Sequence, residues 1–124
     1  MNTDVNKYIA ELCKRCDRIV ITTERPLNVK NKKVNSVLAD IRDANEIEFV
    51  GFCLQMDMES FNGSWMSPVE VYINFLQSKS LIKSVGVVLQ GLLRSEEWNR
   101  DYELINYQEF HEWLLKNGAT YTPR

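Results

Sequence analysis

Apolar and polar positions along this chain recur mostly at helical spacing. Val5, Tyr8, Ile9, Leu12, Cys13 and Cys16 form one stripe, with Lys7, Glu11, Lys14 and Arg15 on the opposite face. Asn2 or Thr3 caps this first predicted helix, and Asp4 suits its positive end. Ile19-Val20-Ile21-Thr22-Thr23 is a run of β-branched residues, which favours a strand, yet Ile19 and Val20 also prolong the helical stripe. Both readings stay open there. Arg25-Pro26 ends whatever precedes it, because the residue before proline avoids the helical region. A basic connection leads to a second predicted helix carrying Val34, Val37, Leu38 and Ile41, capped by Asn31 or Asn35 and fading near Asp43-Ala44-Asn45. Glu46 to Met58 is again open. Its near-continuous apolar run suits a buried strand, Phe49, Phe52, Cys53 and Met56 suit one face of a helix, and its length leans to helix with Gly51 as a costly residue in either.

The densest apolar surface lies in Ser67 to Leu93, which reads as two consecutive helices. Ser67, Pro68 and Glu70 form a capping box with proline at the first helical position. Val69, Tyr72, Ile73 and Leu76 follow at helical spacing, widened by Val71 and Phe75. Ser78-Lys79-Ser80 is a polar break. Leu81, Ile82, Val85, Val88, Leu89, Leu92 and Leu93 then nearly surround a helix axis, marking it as the buried centre, where Gly86 permits close approach of a neighbour. Ser95 followed by two glutamates is a further helix start. Asn106 with Glu109 opens a last helix bearing Phe110, Trp113 and Leu114, closed by Gly118. The expected fold is mainly α: one compact domain over residues 1–124, a bundle of five or six helices around a central apolar helix, with a loose tail from 119. The alternative is α+β, with Ile19–Thr23 and Ile47–Met56 as short strands.

Composition narrows the function classes. At 124 residues, 44 % hydrophobic and 26 % charged, the chain has the make-up of a globular domain. Its net charge of −2 gives nucleic acid no overall attraction. Residues 1–42 hold nine Lys/Arg against five Asp/Glu, whereas 43–94 and 95–124 each hold three against six, so the front is basic and the rest acidic. No run of roughly 18 apolar residues exists to span a membrane. No basic start followed by an apolar core marks a secretory signal, so a cytoplasmic location with three reduced thiols is expected.

The candidate chemistry is sparse. Cys13-Lys14-Arg15-Cys16 is a C-x-x-C, but a structural zinc site needs four ligands, and only Cys53 and His111 remain, far off in sequence. Two small buried residues on an apolar stripe is the simpler reading. His111 is the single histidine and has no nucleophile at a telling spacing. The five glycines form no nucleotide-binding fingerprint, and Asp57 and Glu59 lack the ladder of oxygens a calcium loop requires. No cofactor, no metal and no enzymatic activity are expected.

Two surfaces stand out. Arg25, Lys30, Lys32 and Lys33 flank a predicted helix start, as phosphate contacts would, although Asp40 and Asp43 on that helix oppose phosphate. Glu96, Glu97, Asp101, Glu103, Glu109 and Glu112 crowd the last third, interleaved with Trp98, Tyr102, Tyr107 and Trp113. Aromatic anchors ringed by carboxylates suit a basic protein partner, and the plainer alternative is that the aromatics are core and the acids are their solvated reverse faces. The expected function is therefore protein binding: an immunity protein or inhibitor that blocks the active site of a basic, nuclease-type toxin by presenting carboxylates where the target expects phosphate. The expected partner-binding residues are Glu96, Glu97, Trp98, Asp101, Tyr102 and Glu103, with Asp57 and Glu59. A nucleic-acid-binding regulator using the basic front is the alternative.

Overall fold

A computed structural model of the chain describes residues 5–23, 37–62, 69–88, 91–95, 98 and 101–116. Along the chain these form α1 (Val5–Arg15), β1 (Arg18–Thr22), β2 (Val37–Ile41), α2 (Ala44–Cys53), β3 (Met56–Asn62), β4 (Val69–Gln77), β5 (Ser80–Val88), β6 (Leu92–Arg94), β7 (Asp101–Leu104) and α3 (Tyr107–Lys116). The strands make one sheet in the order β2-β1-β4-β5-β6-β7-β3, with every neighbouring pair antiparallel. The protein is thus mainly antiparallel sheet, and the expected helical bundle is wrong.

The error is largest where the apolar signal is densest. The two helices expected between Ser67 and Leu93 are the β4–β5 hairpin and β6. Val69, Val71, Ile73, Ile82, Val85, Val87 and Val88 supply the β-branched side chains that pack on a pleated surface. Strict alternation is broken because register shifts fall between Val69 and Val71 and between Phe75 and Leu76. An inserted residue reverses the phase of everything after it, so a strand with two such shifts imitates helical spacing. The polar break Ser78-Lys79 is the two-residue turn of the hairpin, since Gln77 pairs with Ser80. Both turn residues have positive φ, 51° and 73°, as a type I′ turn requires. The Asp17 carboxylate accepts from the Ser78 N–H at 3.0 Å and pins the turn to the start of β1. Glu70, expected in a capping box, is a buried strand residue. Ser67, Pro68 and Leu89 lie outside the described residues.

Other segments resolve by the same logic. Arg18–Thr22 is a strand. From Val37 the expected second helix is β2, an edge strand whose Asp40 receives a bidentate pair from Arg18 at 2.8 and 2.6 Å, while Asn31, Val34 and Asn35 lie outside the described residues. Glu46 to Met58 is both of the things it resembled, helix to Cys53 and strand from Met56. Asp43, where the previous helix was expected to fade, is the N-cap of α2, accepting from the Asn45 and Glu46 N–H groups. The helix expected after Asn106 is α3, and the stripe of the first is buried at Val5, Ile9 and Leu12.

The helices cover one face of the sheet, α1 packing on α2 and α2 on α3. Beneath them apolar residues stand directly opposite one another from strand to strand. Ala39, Ile21, Ile73 and Val85 make one row, and Val71, Val87, Leu93 and Tyr102 another. With Ile19, Phe75, Met56, Phe110 and Leu114 they build the core. On the reverse face Gly86 lies opposite Tyr72, and a Cβ there would stand 2.8 and 2.9 Å from the methyls of Val69. That face is polar at its centre. The buried Asn74 amide donates to the Val20 carbonyl at 2.8 Å and the Thr22 hydroxyl at 3.2 Å, and accepts from Ser84 Oγ at 2.7 Å. A fully bonded amide is what allows a polar side chain to sit inside a sheet.

No helix among the described residues is long and apolar enough to cross a membrane.

Candidate functional site

The structure divides the expected partner-binding residues. Glu96 and Glu97 lie outside the described residues. Asp101 is 4 % exposed and joined to Arg94 by two hydrogen bonds of 2.9 Å. Its carboxylate lifts the Arg94 pKa, chiefly through those bonds. Tyr102 is buried in the core beneath the helices. The half-buried Trp98 meets the Tyr102 ring edge-on at 5.5 Å and packs against the same core. Two of these side chains are buried, and the third, Trp98, is half-buried.

Asp57, Glu59 and Glu103 are exposed, and the fold brings them to one sheet edge. β3 closes that end of the sheet beside β7. Met56 pairs with Leu104 and faces the core, so Asp57 pairs with Glu103 and both turn to the other face. The two carboxylate residues are thus directly opposite one another on the ladder. The Asp57 carboxylate also accepts from the Glu59 N–H at 2.9 Å, which fixes the local backbone. Asp57 and Glu103 are 46 residues apart in the chain, and no periodicity connects them.

The start of this edge is anchored by α1. The Asn6 amide donates to the Met56 carbonyl at 2.9 Å and accepts from the Met56 N–H at 2.7 Å. The turn after β7 is tied down as well. The Ile105 N–H donates to the Gln55 carbonyl at 2.9 Å, and the Asn106 amide donates to the Phe52 carbonyl at 2.9 Å. The start of the acidic edge is therefore tied to α1, and the turn after β7 to the end of α2.

The remaining candidates have no converging chemistry. Cys13, Cys16 and Cys53 are free thiols. Burial pushes Cys13 up to about 12, with the neighbouring Cys16 adding to it. Burial raises Cys53 to about 12 as well, with a contribution from Glu109. Thiols so raised stay protonated at neutral pH and make poor nucleophiles. His111 is half-buried and stacks on Tyr107 at 5.9 Å. Among the described residues no group of three or more His, Cys, Asp or Glu side chains could hold a metal ion. Arg25, Lys30, Lys32 and Lys33 lie outside the described residues, and the helix that the nucleic-acid reading placed beside them is the strand β2.

Sequence reasoning missed one feature, a cavity of about 540 Å³ between α1 and α2. The one mark of it in the sequence is Gly51 on its lining, a glycine inside a helical run where α1 and α2 approach closely.

No family model matches this chain, no curated protein matches it, and no solved structure matches it.

Proposed function

We propose that this chain is a binding protein for a basic protein partner, acting as an immunity protein or inhibitor does when it blocks a nuclease-type toxin. The observation that carries the reading is the cross-strand pair Asp57 and Glu103 at the β3 edge, with Glu59 beside it. Carboxylates on a strand tied at its start resemble, in charge, the phosphates that a basic nuclease site is built to receive. Preorganisation lowers the ordering cost of binding, and a negative edge speeds encounter with a positive cleft. The surface differs from the one expected from sequence. It keeps Asp57, Glu59 and Glu103 and omits Trp98 and Tyr102, which pack on the core, and Asp101, which is buried against Arg94.

The test begins with capture of a partner from the cell that makes the chain, followed by assay of the captured protein. The expected partner is basic, and its nuclease activity is lost on stoichiometric addition of the wild-type chain. The variant Asp57→Asn with Glu59→Gln and Glu103→Gln should associate about tenfold more slowly at low salt and show a flatter salt dependence. Equal association rates for variant and wild type would refute the proposed surface. Tight binding of RNA or DNA by the wild type, falling steeply with salt, would replace this reading by the nucleic-acid one.

A further inference from the structure

The helical layer carries a second site, separate from the acidic edge. The cavity between α1 and α2 holds about 540 Å³, within the roughly 300–1,000 Å³ typical of small-molecule pockets. A Cβ at Gly51 would stand 3.1 Å from the Cys13 sulfur, so the missing side chain lets the two helices approach closely at that point of the lining. The floor is apolar, formed by Ile9, Ile47 and Leu54, all buried. Phe52, 45 % exposed, stands at the mouth as an apolar ring that a bound molecule would cover.

Two charges stand on the lining, Lys14 from α1 and Glu48 from α2. Among the described residues neither takes part in an ion pair. The Asn6 amide, also on the lining, is committed to Met56.

We propose that this cavity binds a small zwitterion with an apolar body, the class of free hydrophobic amino acids. The ligand carboxylate meets Lys14, its ammonium meets Glu48, and its side chain lies on Ile9, Ile47 and Leu54 beneath Phe52. The pair of rim charges selects this class. A fatty acid would leave Glu48 without a partner, and an apolar amine would leave Lys14 without one. The neutral Cys13 thiol adds to the apolar lining and leaves the binding non-covalent.

The test is a two-dimensional amide NMR titration of the whole chain with L-phenylalanine, L-leucine and L-tryptophan to their solubility limits. Saturable shifts of the Ala10, Cys13, Ile47 and Gly51 amides are expected with at least one of them. Removing either ligand charge, with phenylpropionate or phenethylamine, should weaken binding about tenfold, as should Lys14→Gln or Glu48→Gln, because charge-assisted hydrogen bonds are lost. Both substitutions are at exposed positions and leave the core intact. The variant Asp57→Asn, Glu59→Gln, Glu103→Gln should bind the amino acid like wild type, so this site stands or falls apart from the acidic edge. Absence of saturable shifts with all three amino acids would overturn the proposal. So would equal binding of N-acetyl-L-phenylalanine amide, or binding of dodecanoate in place of the zwitterions.

Discussion

The side-chain amide of Asn6 bonds both backbone groups of Met56, mimicking a neighbouring strand at the first residue of an edge strand. One polar side chain on a helix thereby fixes where the sheet edge begins. Asn6→Ala should cost about 2 kcal/mol, since it strips two partly buried backbone groups of their partner. Asn6→Asp should also destabilise, because a carboxylate can accept from the Met56 N–H but repels its carbonyl. Urea denaturation midpoints measure both. A midpoint unchanged in Asn6→Ala would show that water replaces the amide without cost.

The hairpin turn holds two non-glycine residues in left-handed conformations, Ser78 and Lys79. Changing them to Asn-Gly, the pair that type I′ turns favour, should raise stability by about 1 kcal/mol by relieving backbone strain. Asp17→Ala should lower it by about 1 kcal/mol through loss of the bond to the Ser78 N–H. Thermal melts of the two variants should move in opposite directions.

Asp101 is a structural residue in this fold. Removing its carboxylate leaves the Arg94 guanidinium, 23 % exposed in its side chain, without its bidentate partner. Asp101→Ala should therefore cost about 2–4 kcal/mol. The double change Arg94→Met with Asp101→Leu should recover much of that, because no unpaired charge remains. Chemical denaturation decides the matter. A variant that melts like wild type but binds a captured partner poorly would return Asp101 to the binding surface.

The thiols make stability pH-dependent on the alkaline side. Cys13 and Cys53 ionise near 12 in the folded chain against an ordinary value of 9.0. Below pH 9 they are protonated in both states and contribute no pH dependence. Above it the unfolded chain loses protons that the native chain keeps, so stability falls as pH rises from about 9 towards 12. At pH 8 all three thiols should react with a disulfide reagent far more slowly in the native protein than in denaturant. Fast labelling of a native thiol would show a more open α1–α2 interface.

Some of this molecule is set by local chemistry and was legible in the chain itself. The stripe of Val5, Ile9 and Leu12 specifies α1, because one face of an isolated helix is defined by neighbours three and four apart. The last helix, with Phe110 and Leu114 inward, follows for the same reason. The β-branched run Ile19 to Thr22 left strand and helix end both open, and it is strand β1. The sheet itself was decided by contacts distant in sequence. A strand buried on both sides, as β4 is at Ile73, Asn74 and Phe75, shows no apolar–polar alternation, and shifts of register erase what remains. Only the pairing of Ile73 with both Ile21 and Val85 makes that segment a strand. The acidic residues divide in the same way. Their charges are written in the sequence. That Asp101 turns to Arg94 while Glu103 turns outward beside Asp57 depends on which strand lies next to β7, because a pleated strand assigns each side chain to a face and its neighbours decide what that face meets.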